Sequence, residues 1–567
     1  MLVSLLLWAY LLPLGWLYGR LTLHLLARSL HLPEENLPFS LAWLAGMGTL
    51  TCLACFLSLF IKLALGAQAV ALTGGLLILF WLWRGGHLHL PHTIWQPLGL
   101  LLASLVLVTV LEISTRTPSN PDTGLYHAQA IRWIESFPAV PGLGNLHSRL
   151  AYNSSWLVLN AFFSFAFLGG QSFHVLPGLF FLVIISRLLS QGLRLLRRAG
   201  QPADWLRLGW IGLAFFLLGG ELSSPGTDLP VVLLSWLIFS EWLTVIEEKE
   251  TIPSLQCVLL VLLPLWAVTI KLSSLPLLLA SLIIWWRHIP KQSLVNIFRL
   301  LATGFVLLLP WLARNLILSG YLVYPGLTLD PFQFDWHIPP EAVRRESQVI
   351  TAWARFSAGE IGTVLAMSLP QWVSAWFHHQ TRNRQVMFLL TASAPLAYAL
   401  LLSLLRLVKQ RLAWQFWKAL KPYTLPLLTA YLGSLFWFFQ APFFRFGYVF
   451  LIPALTLWML LPIALLGNDR LQSLRLPLVF ILLLIAFQTS VLVRSFDPRT
   501  FASRLVQPAD YVNLPTAPCE LYDSRVWCAE QYGVCGYQAF PCVPGADPHT
   551  ARRGPELSDG FRHIDLP

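Results

Sequence analysis

Fifteen apolar stretches separated by polar ones run through the chain, at 1–19, 39–61, 63–83, 94–113, 154–168, 173–193, 205–222, 229–246, 255–270, 272–286, 297–318, 386–405, 424–441, 446–466 and 474–494. Most are about 18–25 residues long, enough for an α-helix to cross ~30 Å of hydrocarbon. Only helices fit, because a helix satisfies its own backbone groups in lipid, whereas barrel strands would be half as long and would alternate. The pattern predicts an all-α polytopic membrane protein with about 13–15 transmembrane helices. The first run, MLVSLLLWAYLLPLGWLYG, has no basic n-region and no small-residue cleavage site, so it reads as a retained helix. Residues 1–494 form the predicted transmembrane domain, with long loops at 114–153 and 319–385, and 495–567 form a separate tail. Two polar stretches keep a helical period. In 123–137, Leu125, Ala128, Ile131 and Ile134 share a face; in 340–356, Val343, Val349, Ile350, Trp353 and Phe356 do so, as expected of a helix lying on a membrane surface.

Composition sharpens this picture. Hydrophobic residues make up 56% of the 567 residues and charged residues only 11%, against about 25% charged in a soluble domain. Soluble, collagen-like and disordered classes are excluded. The net charge of +11 would suggest nucleic acid in a soluble chain, but its location removes that reading. Segments 187–207, 287–299, 406–421 and 469–475 hold fifteen basic and two acidic residues, whereas 114–153, 320–385 and 495–567 hold fourteen basic and sixteen acidic. Positive residues mark the cytoplasmic side, so the charge reports orientation and no nucleic-acid partner is expected. The expectation is a multi-pass protein of the plasma membrane with 223–228, 319–385, 440–445 and the tail outside. Counting backwards, full crossings at both 154–168 and 173–193 would put 114–153 and the Arg-rich 194–198 on one side. The shorter run, 154–168, is therefore the candidate re-entrant or interfacial segment.

The seven cysteines divide in two. Cys52, Cys55 and Cys257 lie in apolar runs, where Cys behaves as a small apolar residue. Cys519, Cys528, Cys535 and Cys542 lie in the tail without the close pairs of a zinc site. An even set on an oxidising side reads as two disulfides, with three connectivities open.

Candidate chemistry gathers at the outer helix ends. Asp122 precedes the helix of 123–137, which also carries His127, and Asp228 opens the apolar helix at 229. Each aspartate has a plain structural alternative as a helix N-cap. Together they form a carboxylate pair suited to holding a proton or a divalent cation. Lys271, Arg314 and Arg445 stand near outer helix ends. There they either snorkel or hold an anionic headgroup, with Arg favoured for bidentate phosphate contacts.

The motifs DTGLYHAQAIRW, PAVPGLGNLHSRLAYNSS, TDLPV, KLSS, RNLILSGYLVYP and FRFGY span most of 118–450. In them the chain resembles a family of uncharacterised bacterial polytopic membrane proteins, and through it, more distantly, the GT-C superfamily of integral-membrane glycosyltransferases. The resemblance implies a bacterial inner-membrane enzyme of the cell envelope that transfers sugar from a polyprenyl-phosphate carrier to an extracytoplasmic glycan, lipid or protein. It further implies Asp122 as general base, Asp228 orienting His127 or a metal, and Lys271, Arg314 and Arg445 at the lipid phosphate. One competing function is a transporter or flippase of a lipid-linked sugar, which would use the same cations. A second is a polymerase or ligase of lipid-linked saccharides, a class with similarly large outer loops. A third is a structural scaffold in which both aspartates are only caps. The chain lacks the symmetric halves usual in transporters.

Overall fold

The computed structural model describes residues 1–86, 97–197, 199–248, 254–288, 294–326, 332–466, 471 and 475–565. Of the basic residues counted above, Arg198, Lys291 and Arg470 lie outside the described residues, as does Asp469. The protein is mostly helical, and ten helices among the described residues are long and apolar enough to cross a membrane: Leu2–Leu30, Phe39–Leu57, Leu65–Arg84, Pro97–Ser114, Leu176–Arg197, Asp228–Glu247, Leu294–Ser319, Arg382–Val408, Phe444–Ile463 and Leu476–Ser495.

Ten, counted by length and composition, is fewer than the expected 13–15. The other five apolar runs form shorter helices: Ser155–Phe162, Pro202–Leu218, Leu255–Ile270, Leu278–His288 and Thr424–Gln440. Hydropathy reads apolarity, whereas crossing also needs unbroken helical length. Four of the five nevertheless start and finish at opposite faces. Leu278–His288, led by the turn Leu272–Leu277, leaves Lys271 at one face, and the next helix starts at the other, where Arg299 meets the Ser29 carbonyl. Pro202–Leu218 begins where the Ala203 N–H meets Glu247 and ends where Gly220 accepts from Ser119. Leu255–Ile270 runs from Glu35 to Ser154, and Thr424–Gln440 starts beside Glu247 and ends near the Pro442 carbonyl held by Trp376. Helices of 16–17 residues reach only about 25 Å, so the bundle is thin at its centre.

Two faces result. One carries the tail and the loops at 115–153, 219–227, 320–326 and 332–381; the other carries the described parts of the basic segments. Ser155–Phe162 settles the parity problem. After it the chain turns at Ala166–Leu168, returns Phe173 N–H to the Ser164 carbonyl, and ties Gln171 to Pro508 of the tail. The segment thus goes in and comes out on the tail-bearing face.

Asp228–Glu247 is the buried axis of the bundle, enclosed along almost its whole length. Leu2–Leu30 and Phe39–Leu57 pack backbone to backbone: a Cβ on Gly19 would stand 1.7 Å from the Ala42 carbonyl oxygen, and one on Gly46 would stand 1.8 Å from that of Gly15. Only glycine allows this approach. Arg382–Val408 is the opposite case, with Thr391 alone buried. Near the basic face, Arg187 meets Glu241 through two 2.8 Å bonds, and the fully buried Arg207 bonds Asp204, Ser240 and Thr244. These arginines, counted as loop cations from the sequence, are helix residues neutralised inside the protein.

The predicted amphipathic stretches are helical. The first is a π-turn, Thr123–His127, continued by Ala128–Ser136; the second is Pro340–Arg355. In the second, Val343 is buried, but the expected partner Trp353 is exposed and Ala352 and Ala354 turn inward instead. Beyond the short helical turns Pro498–Phe501, Ala502–Arg504 and Leu557–Asp559, the tail is built of strands and loops. Thr516–Glu520 pairs antiparallel with Arg525–Ala529, which pairs parallel with Cys542–Val543, and Thr550–Arg552 pairs antiparallel with Phe561–His563. Its disulfides join Cys519 to Cys528 and Cys535 to Cys542, the sequential connectivity of the three.

Candidate functional site

The helix ends of the tail-bearing face converge on Arg445. Its guanidinium lies 2.5 Å from Asp122 Oδ2, 2.7 Å from Asp228 Oδ2 and 3.6 Å from Glu221 Oε1. Lys271 Nζ donates to the other oxygen of Asp228 and sits 3.7 Å from the centre of the Phe446 ring. Helix polarity explains part of this arrangement. Asp228 is the first residue of its helix and Lys271 follows the last of Leu255–Ile270, each at the end its charge favours. Arg445 stands in the first turn of Phe444–Thr456, where the dipole opposes a cation. The three carboxylates compensate.

Neither aspartate serves as an N-cap. Asp122 precedes the π-turn and Asp228 begins its helix, yet neither side chain makes a capping bond. The 118–122 segment is held by other groups. Ser224 Oγ accepts the Ser119 and Asn120 N–H groups, both at 3.0 Å, and Asn120 Oδ1 accepts the Asp122 N–H at 2.8 Å. Asn120 also donates to Glu221 at 2.5 Å. The Asp122 side chain stays 25% exposed, against 4% for Asp228, so Asp122 is the carboxylate a substrate reaches.

Burial works to raise the Asp122 carboxyl, but His127, Arg445 and Lys271 outweigh it and hold it below its ordinary value. Glu221 is raised, because burial exceeds the help from Arg445 and Asn120. His127 is pushed down to about 4, first by burial and then by Lys271 and Arg445, against the pull of the two aspartates. Its ring is 1% exposed, packs 4.3 Å from that of Tyr126, and has no hydrogen-bond partner on either nitrogen among the described residues. A neutral imidazole therefore stands on the turn that carries an ionised carboxylate.

Of the six residues singled out from the sequence, five belong here, and Arg314 does not. Arg314 is buried and donates to Asn153 Oδ1 at 3.0 Å and Ser58 Oγ at 2.7 Å. It thereby ties the left-handed Asn153 to the end of Phe39–Leu57. The role of Asp228 differs too, since it orients Lys271 and Arg445, not His127. As for a divalent cation, no group of three His, Cys, Asp or Glu side chains among the described residues is placed to hold one. The Arg445 guanidinium lies between Asp122 and Asp228, so these residues do not fit a metal.

Glu221 is the member sequence reasoning missed. The available signal was an acid closing an apolar helix seven residues before Asp228, since buried membrane acids are rarely idle. Beyond Tyr126, whose ring meets Tyr152 at 5.4 Å, lies a second group. There Glu346 of Pro340–Arg355 accepts from Tyr152 and from Ser148, and Arg149 approaches it to 4.0 Å.

A family model described as a domain of unknown function, DUF8201, matches residues 1–452. No curated protein and no solved structure matches the chain.

Proposed function

We propose that this chain, which belongs to the DUF8201 family, is an integral-membrane glycosyltransferase that takes sugar from a polyprenyl-phosphate carrier, working at the tail-bearing face. The observation that carries the reading is the Arg445 cluster: a reachable, ionised Asp122 beside two cations at the mouth of a helical bundle. A mouth at the ends of membrane-spanning helices suits a lipid-linked donor, and the distant resemblance to the GT-C superfamily, through the uncharacterised family, implies the same residues.

In this mechanism Asp122 accepts the proton of the acceptor hydroxyl as oxygen attacks the anomeric carbon, and the sugar–phosphate bond breaks with inversion. Lys271 and Arg445 share their positive charge with the departing lipid phosphate, a role in which charge developing in the transition state meets groups already in place. Asp228 keeps both cations in position. His127, neutral and enclosed against Tyr126, backs the turn that follows Asp122. The cell-envelope setting and the extracytoplasmic side of the tail belong to the same proposal.

The test incubates purified protein with polyprenyl-phosphate sugars and mixed envelope acceptors. Asp122→Asn is expected to lower transfer by about a hundredfold or more. Undiminished transfer by the variant, or none by the wild type with any donor, overturns the reading.

A further inference from the structure

The helix that carries Asp122 and His127 is bonded along one flank to a single loop of the tail. Within the π-turn, Ala128 N–H reaches back to the Thr123 carbonyl. The Gly124 carbonyl turns outward and accepts two N–H groups, from Cys535 at 2.9 Å and Gly536 at 3.0 Å. One turn on, the buried Gln129 donates to the carbonyls of Gly536 at 3.0 Å and Ala539 at 2.8 Å, and accepts the Cys542 N–H at 3.1 Å. Arg132 then donates to the Tyr537 and Gln538 carbonyls and lies 4.9 Å from the Phe540 ring centre. Glu135 accepts from the Tyr537 hydroxyl at 2.6 Å. All these partners lie in 535–542, the loop closed by the Cys535–Cys542 disulfide.

We infer that the Cys535–Cys542 loop and Gln129 are positioning parts of the Asp122 site, holding the π-turn that aims Asp122 at Arg445 and keeps His127 enclosed. A π-turn is a rare, strained insertion in a helix. If it relaxed to an α-turn, residues on one side of it would rotate by about 100° relative to those on the other, carrying Asp122 off Arg445. The tail opposes this by occupying the Gly124 carbonyl that an α-turn would use internally. The short loop holds its carbonyls and N–H groups in place because the disulfide removes its freedom to open. The inference takes Asp122 and His127 as site groups, and so rests on the reading above. It also means that a segment beyond the 1–452 family match completes the site.

The other disulfide provides the control, since Cys519–Cys528 bridges two strands already paired along five residues. The experiment compares full-length wild type, Cys535→Ser/Cys542→Ser, Cys519→Ser/Cys528→Ser and Gln129→Leu in detergent. It reads amide hydrogen exchange over 123–136 and the pH-dependent modification of His127 by diethylpyrocarbonate, located by mass spectrometry. Loss of the first disulfide is expected to speed exchange over 123–128 by about tenfold or more. It should also expose His127, moving the midpoint of its reactivity from about 4 towards the ordinary 6.5. Gln129→Leu, which keeps both disulfides, should move both readouts the same way by less. The Cys519/Cys528 variant should match the wild type. Exchange and reactivity unchanged in the first variant, or changed equally by both disulfide variants, overturn the inference. Neither readout needs transfer activity, so a failed glycosyltransferase assay and a failed clamp are separate outcomes.

Discussion

Arg445 is shared among three carboxylates that would otherwise face one another. Arg445→Met should lower stability at pH 7 by about 3 kcal/mol, because partly buried charges lose their partner. Part of the loss should return as pH falls and the carboxyls, now raised, take up protons; thermal unfolding in detergent at pH 7 and pH 5 measures it. A histidine gives the opposite sign. His174 is buried, its Nε2 3.1 Å from the Arg116 carbonyl oxygen, and burial pushes it down to about 4 from 6.5. Between those values the unfolded chain binds a proton that the folded one refuses. Its stability contribution is therefore full above pH 6.5 and is lost, by about 1.4 kcal/mol per pH unit, as pH falls to about 4. In His174→Asn the fall in unfolding temperature between pH 7 and pH 5 should be smaller than in the wild type; an equal fall rules this histidine out as the cause. At this scale the sequence was a good guide to which residues matter. Asp122, Asp228, Lys271 and Arg445 are charges at the ends of apolar runs, where burial demands a reason. Which charge meets which was not readable, since Asp122 and Arg445 are 323 residues apart. Arg314 looked identical on that criterion, yet its neighbours are a neutral amide and a hydroxyl.

Among the elements, the apolar runs located nearly every helix but did not show which of them are short. Ser155–Phe162 is the clearest example, because an apolar run gives no sign of where its helix will break and turn back. The close packing of Leu2–Leu30 on Phe39–Leu57 was equally invisible, although Gly19 and Gly46 were in plain view; small residues face lipid as often as a neighbour. Gly19→Ala should destabilise this helix pair by about 1–3 kcal/mol, since its methyl group would overlap backbone and not a movable side chain. An unfolding temperature matching the wild type would mean that the two helices separate freely. The tail's strands and disulfide pairing are local, with cysteines nine and seven residues apart. Even so, spacing alone left three pairings open; the fold selects one by bringing the Cα atoms of each bonded pair to 5.7 Å.

The alternation of helices among the described residues predicts that Gln531 in the tail and Lys418 in the last turn of the amphipathic helix Gln410–Leu420 are on opposite sides of the membrane. Both are exposed. Gln531→Cys and Lys418→Cys, treated in intact cells with an impermeant thiol reagent against the parent protein, should differ, only one being labelled before lysis. Labelling of both would overturn the two-faced arrangement, and labelling of Lys418→Cys alone would move the Arg445 cluster to the cytoplasmic side. The helix Arg382–Val408 has a further consequence at this scale. Its 27 residues extend about 40 Å, well beyond a ~30 Å hydrocarbon layer. It is fastened near its middle, where Tyr431 bonds the Thr391 carbonyl and Tyr398 stacks on Trp458, while Leu407 and Val408 beyond are 84% and 76% exposed. Such a helix meets a thinner bilayer by leaning and a thicker one by standing upright. Lipid chain length therefore sets the lean of this helix about a start tied to Leu369–His379, where Gln385 donates to the Phe377 carbonyl.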